Sequence, residues 1–298
     1  MTKNILITGI SGMLGKAVYR HFNKIEGYKI CGVSRNGDFV LPNVEMLYGN
    51  LASEEFLKSI SPISFEAIIH CSAEVNVNLC ETDKYLAFES NVKATKNLFS
   101  ILKSKKYIYI STDAVFDGQQ GSYSETSQVK TLNYYAETKL LGENEVKEMV
   151  ENHYILRTNI YGFSNPMKKS LFEWAYSELG QHKGINGFSN MYFNPMYVGQ
   201  LAKCIAGFVS NKIPFGTYNV AADEKISKYE FLLKIATAFE FPRNAISEVT
   251  FNQNDFAAPR ALNTTLDNSK IKSVFSDFDF SIDTGFSMLK NDFSAYIN

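Results

Sequence analysis

An α/β fold on a doubly wound parallel sheet is what this chain predicts, on two observations. Short apolar runs alternate with longer, helix-patterned stretches through the first half of the chain, the pattern of βαβ units. The first apolar run also passes straight into a glycine-spaced loop that opens a helix. The 298 residues leave room for one large α/β domain, or for such a domain with a smaller lobe.

The runs follow in order. "NILIT" (4–8) reads as a buried strand, and "YKICGVS" (28–34), "EMLYGN" (45–50), "AIIHCS" (67–72) and "YIYIST" (107–112) repeat it. Apolar runs without strict alternation suit strands covered on both faces. "LAFESNVKATKNLFSILKS" (86–104) spaces its apolar residues as a helix does. "HYILRT" (153–158) predicts a sixth strand, after which the pattern loosens. "NPMKKSLFEWAYSELG" holds a helix, in which Trp174 is expected to pack with Leu171 and Phe172. "INGFSNMYFNP" reads as loop or short strand, and "MYVGQLAKCIAGFVS" as another helix. In "KISKYEFLLKIATAFEF", Ser227 followed by Glu230 predicts a capping box.

Composition narrows the function classes. A net charge of −1 argues against a nucleic-acid binder with a broad basic surface. Cys31, Cys71, Cys80 and Cys204 are scattered without a CxxC pair, which predicts reduced thiols in a cytoplasmic protein. His21, His70, His153 and His182 do not cluster at ligand spacing, so no metal site is expected. No apolar run approaches the roughly 20 residues of a membrane span, and the N-terminus lacks the longer apolar stretch of a signal peptide.

"TGISGMLG" (8–15) places Gly9, Gly12 and Gly15 between strand and helix. Gly9 permits the tight turn, Gly12 lets a pyrophosphate approach the backbone, and Gly15 allows close packing of helix on strand. An anion then meets unpaired N–H groups at the helix N-terminus. The second strand ends in "GVSRNGD", with Ser34 and Arg35 where a site for NAD usually has an acidic residue. Arginine pairs with a 2′-phosphate, which favours NADP(H). Asp38, a few residues later, keeps NAD(H) possible.

"LNYYAETKLLGE" raises a choice between two tyrosines. Tyr135 has Lys139 one helical turn on, whereas Tyr134 has Thr138 there. A lysine ammonium beside a phenol favours the phenolate and fits Tyr135 to donate a proton near neutral pH. YxxxK alone is a common pattern. It gains weight from "YIYISTDAVFDG", which sets Ser111, Thr112 and Asp113 at a strand's carboxyl end, where open α/β sheets bind ligands.

The order TGxxGxxG, a strand ending in STD, then YxxxK resembles the extended short-chain dehydrogenase/reductase family. "STDAVFDG" is similar to its dTDP-4-dehydrorhamnose reductase subgroup. "HCSAEVNVNLCE" (70–81), "SNVKATKNL" (90–98) with Asn91, "GTYNVAADEKISKYEF" (216–231) and "RALNTTLDNSKI" (260–271) extend the resemblance over almost the whole chain. It implies a Rossmann domain at 1–158, to which 192–221 returns, and a substrate lobe from 159–191 and 222–298.

For the site, the resemblance implies a triad of Thr112, Tyr135 and Lys139, with Tyr135 as the acid and Lys139 on the nicotinamide ribose. Gly9, Ser11, Gly12, Met13, Leu14 and Gly15 would follow the pyrophosphate. Asn50 and Leu51 would meet the adenine, Cys71, Ser72 and Ala73 the ribose side, and Ser111 the mouth of the crevice. Asp113, Ala114, Phe116, Asn159, Asn194 and Arg260 would face the substrate, with Arg260 toward its diphosphate.

The implied partner is a nucleotide-activated deoxysugar, reduced at a keto group, and a homodimer is compatible. Two departures fall where the subgroup holds its sugar: Ala114 replaces a tyrosine, and "RTNIYGFS" lacks a tryptophan. An epimerase or dehydratase on the same fold stays open. So does a non-catalytic NADP-binding regulatory subunit like that of methionine adenosyltransferase.

Overall fold

The computed structural model describes residues 2–164, 166–168, 170–253 and 258–297. Phe256 and Ala257, in the stretch leading to Arg260, lie outside them. The strands are β1 (Lys3–Thr8), β2 (Tyr28–Ser34), β3 (Val44–Tyr48), β4 (Ala67–His70), β5 (Tyr107–Thr112), β6 (His153–Thr158), β7 (Ile160–Tyr161), β8 (Ile185–Phe188), β9 (Tyr192–Phe193), β10 (Met196–Tyr197), β11 (Gly216–Asn219), β12 (Ile226–Ser227) and β13 (Ile246–Val249). The helices are α1 (Met13–Phe22), α2 (Glu54–Ile60), α3 (Val77–Thr82), α4 (Lys84–Phe88), α5 (Ala94–Ile101), α6 (Tyr134–Met149), α7 (Leu171–Gly180), α8 (Val198–Ser210), α9 (Lys228–Ala238), α10 (Ser269–Val274) and α11 (Ile282–Ile297).

Seven strands form one sheet in the order β11-β6-β5-β4-β1-β2-β3, every pairing parallel. From β1 the chain builds outward to β3, then returns to β4 on the other side. The switch point therefore lies between β1 and β4, where a doubly wound sheet opens its ligand crevice.

Strand alternation sorts the core. Ile5, Ile7, Ile69, Ile108 and Leu156 point to one face and join Leu14, Val18, Leu201 and Ile205 of α1 and α8. Leu6, Ile68, Tyr109 and Ile155 point to the other, against Leu57, Leu98 and Val146 of α2, α5 and α6. This period of two on strands covered on both sides is why the runs lack polar residues. The first cluster continues without a break into Phe172, Phe193, Phe231, Phe286 and Phe293, so the C-terminal helices share a core with the sheet.

Two local features differ from expectation. The stretch expected as one helix from 86 contains a π-helical turn, Glu89–Lys93, between α4 and α5. Trp174 is 39% exposed, while its neighbour Phe172 is fully buried; only one side of α7 faces the core. The capping box of Ser227 and Glu230 forms at α9, and Ser170 and Glu173 make a second one at α7.

Candidate active site

The glycine loop closes the crevice at its base. Gly9 has φ +63°, and a Cβ there would fall 2.8 Å from the backbone of Ser72; the loops after β1 and β4 thus touch at the switch point. A Cβ on Gly15 would fall 2.2 Å from the Gly9 carbonyl oxygen. Gly12 stands at the N-cap of α1 with no side chain closing it and no acidic residue in the first turn. The first N–H groups of the helix are left to an anion, so the residues present fit a dinucleotide's pyrophosphate.

Ser11, Met13, Cys71, Ser72 and Ala73 around this loop are partly exposed, and Leu14 is buried. Burial pushes the Cys71 thiol up to about 12, so it is not a thiolate. At the end of β2 the Ser34 hydroxyl is turned onto the backbone of Asn36, while Arg35 is exposed. Asn50 receives the N–H of Ala52, and Leu51 is buried.

Asn133 caps α6 by accepting from the Ala136 N–H, which starts the helix at Tyr134 and fixes the register of Tyr135 and Lys139. Thr112, at the end of β5, faces Tyr135 and favours its ionised form. Burial raises the phenol above its ordinary value, with Asp113 adding to the rise and Thr112 opposing it. This corrects the expectation that Lys139 lowers it. The Lys139 ammonium instead donates to the Ile110 carbonyl at 2.8 Å and lies 4.1 Å over the Tyr109 ring. Its side chain runs down toward β5, not along the helix to the phenol. Burial lowers Lys139 to about 7, against the pull of Glu143.

Beyond β5, Thr112 caps a short turn by accepting from the Ala114 N–H, 3.1 Å away, and donates to Asp113 at 3.1 Å. Asn159 donates to the other Asp113 oxygen at 2.8 Å, and Thr264 also bonds this carboxylate. Burial raises Asp113, and these donors oppose the rise. Lys228, at the start of α9, favours the ionised form of Asp113 by its charge. Sequence reasoning missed Lys228 and Thr264: "KISKYEF" was read for its cap rather than its lysine, and "RALNTTLDNSKI" for its arginine rather than its threonine.

Three expected contacts take other roles. Phe116 is wholly buried and stacked on Tyr123 at 4.3 Å, so it is core. Asn194 is buried and donates to the carbonyls of Ala222 and Leu266 while accepting from the Leu266 N–H; it staples two segments and has no group left for a substrate. The Ser111 hydroxyl donates to Glu143 at 2.6 Å, on the sheet face opposite Thr112. Arg260 does line an open cleft of about 540 Å³ with Asp117, Asn190, Tyr192, Lys225 and Asn263. A second cleft, of about 610 Å³ between α9 and α11, holds none of these residues.

Buried polar ties hold the frame. Asn91, in the π-helical turn, accepts from the Glu74 N–H and donates to the Glu74 carbonyl and to Thr138, pinning the loop after β4 to α6. Glu143 receives a two-pronged bond from Arg157, at 2.9 and 2.7 Å, joining α6 to β6. Among the described residues no group of three or more His, Cys, Asp or Glu is placed to hold a metal ion. No helix among them is long and apolar enough to cross a membrane.

A Rossmann-like seven-stranded sheet, a glycine loop at its switch point and a Thr–Tyr–Lys group at its carboxyl edge define a protein of the extended short-chain dehydrogenase/reductase type. Residues 2–281 match the RmlD substrate binding domain family, and the chain belongs to it. It is 31% identical to methionine adenosyltransferase 2 subunit beta of Xenopus laevis over 283 residues, 92% of this chain and 83% of that protein. It is 24% identical to the probable low-salt glycan biosynthesis reductase Agl14 of Haloferax volcanii over 97% of this chain and 98% of the relative. The dTDP-4-dehydrorhamnose reductase of Bacillus anthracis, solved in complex with NADP, superposes with a TM-score of 0.85 at 23% identity, covering 98% of this chain and all of that one.

Proposed function

We propose that this chain is an NADP(H)-dependent reductase acting on a keto group of a nucleotide-activated deoxysugar, in deoxysugar or surface polysaccharide synthesis. The observation that carries the reading is Tyr135 beside Thr112 at the carboxyl edge of the sheet, with buried Lys139 one turn on. Bound NADPH supplies the hydride.

The loop of Gly9, Ser11, Gly12 and Met13 binds the pyrophosphate through backbone N–H groups. Exposed Arg35 takes the 2′-phosphate, although NAD(H) shares every other contact. Thr112 and Tyr135 hold the substrate carbonyl oxygen, and Tyr135 gives that oxygen its phenolic proton as the carbon receives the hydride. Lys139 then serves the ribose side, with its ammonium anchored on the Ile110 carbonyl. Ala114 and Asn159 leave the sugar pocket without the subgroup's two aromatic rings, which supports a sugar other than dTDP-4-dehydrorhamnose.

A second reading, a non-catalytic regulatory subunit, is favoured by the 31% identity to methionine adenosyltransferase 2 subunit beta. One experiment separates the two: NADPH oxidation by the purified chain across a panel of 4-keto nucleotide sugars. The reductase reading expects stoichiometric oxidation with at least one sugar. No oxidation with any sugar, together with a stable complex with a methionine adenosyltransferase catalytic subunit, favours the second.

A further inference from the structure

Two cations lie at the substrate side of the site, and neither has a counter-ion among the described residues. The Lys228 ammonium sits 3.2 Å over the centre of the Phe193 ring. Neither it nor the Arg260 guanidinium makes an ion pair among the described residues. Arg260 is held only lightly, its side chain donating to the Asn78 amide oxygen at 3.3 Å. Ser227, just before Lys228, pairs with Tyr192 of β9, and Tyr192 lines the same cleft as Arg260; the charge of Arg260 disfavours the ionisation of Lys228. The Asp113 charge favours the ionised form of Lys228, yet the two make no ion pair, and the Asp113 oxygens accept from Thr112 and Asn159.

Sheltered charges in proteins are ordinarily paired. Here a cation keeps its three donors free among the described residues, on the segment paired with the strand that borders the Arg260 cleft. The order Tyr135–Thr112–Asp113–Lys228–Arg260 runs from the proton donor outward.

We propose that Lys228 is a substrate-binding, specificity-determining residue that, with Arg260, holds an anionic oxygen group of the nucleotide sugar beside Asp113. The inference rests on the reductase reading for its ligand. The anion is either the phosphate next to the sugar or a carboxylate on the sugar itself. An anion between the two cations relieves their repulsion, and the Phe193 ring holds the ammonium in place until it arrives.

The test is calorimetric titration of wild type, Lys228→Met and Lys228→Arg with dTDP, a neutral dTDP-sugar and UDP-glucuronic acid. Excess NADP+ is present so that the cofactor site is not read. Loss of a charge-assisted bond predicts about ten- to hundredfold weaker binding in Lys228→Met, largely recovered in Lys228→Arg. The thermal midpoint of Lys228→Met should be unchanged or higher, because an unpaired ammonium has been removed; a purely structural lysine predicts a lower one. Equal losses for all three ligands place the anion at the phosphate. A loss confined to UDP-glucuronic acid places it on the sugar. Should the Met variant fail to fold, Lys228→Gln is titrated in its place. Affinities unchanged by either variant overturn the inference and leave the reductase reading standing. Failure of wild type to bind any of the three ligands overturns both.

Discussion

Asn159 donates to the Asp113 carboxylate at 2.8 Å, across 46 residues of sequence. The Asn159 amide thus helps to fix the strand-end aspartate. Removing the donor leaves a buried carboxylate short of one bond. Asn159→Ala should lose about 1–3 kcal/mol of stability at neutral pH and raise KM for the sugar while the NADPH Kd holds. Denaturant unfolding and steady-state kinetics check both parts. An unchanged stability would mean that water replaces the amide and that Asp113 is not sealed.

His70 is buried between Thr8, 2.7 Å from its Nδ1, and Thr95, 3.0 Å from its Nε2. Burial lowers its pKa from 6.5 to about 3, with the Lys139 charge adding to the fall. Between these values the unfolded chain binds the proton and the folded chain does not. Stability from this group is therefore complete above about pH 6.5 and is lost progressively as pH falls toward 3. Ring chemical shifts should report a neutral imidazole throughout the range from pH 7 to 4. Titration of His70 near 6.5 in the folded protein would contradict the burial argument.

Glu143 and Arg157 are 0% and 4% exposed and doubly bonded. Breaking such a pair from one side strands a buried charge. Glu143→Ala should destabilise by about 3–5 kcal/mol, whereas replacing both residues with methionine should cost far less. A double-mutant cycle in urea measures the difference. The single change also leaves the Ser111 hydroxyl without its acceptor, so Ser111→Ala should lose most of its own effect in the Glu143→Ala background.

Arg35 is exposed at the end of β2, where its side chain is free to meet a 2′-phosphate. Arg35→Ala should weaken NADPH binding about tenfold, as expected for loss of one charge-assisted contact, and leave NADH binding nearly unchanged. Fluorescence titration with both cofactors decides. Equal weakening for both would assign Arg35 a structural role, and no change for either would leave Asp38 as the residue facing the adenine ribose.

The six strands read from apolar runs all form; in the central ones burial on both sheet faces leaves a strong local signature. The glycine loop between β1 and α1 was legible because it depends on neighbours within a few residues. What the chain did not disclose depends on contacts far apart in sequence. Phe116 and Asn194 lie in stretches that reach the site, yet their side chains turn to Tyr123 and to the Ala222 and Leu266 backbone. Lys139 has the right spacing for Tyr135, but the Ile110 carbonyl on a different element takes its ammonium. Lys228 and Asp113 act on each other's charge across 115 positions of sequence, a relation that no local pattern encodes.

The central claim is that Tyr135 supplies the proton during hydride transfer. Its most direct test is single-turnover NADPH oxidation by Tyr135→Phe, on the best nucleotide sugar found for wild type, with NADPH affinity measured alongside. The account predicts a rate lower by about 10²–10⁴-fold with NADPH affinity within about twofold of wild type, since the phenol oxygen is a small part of the cofactor's contacts. A variant that turns over at the wild-type rate would contradict it.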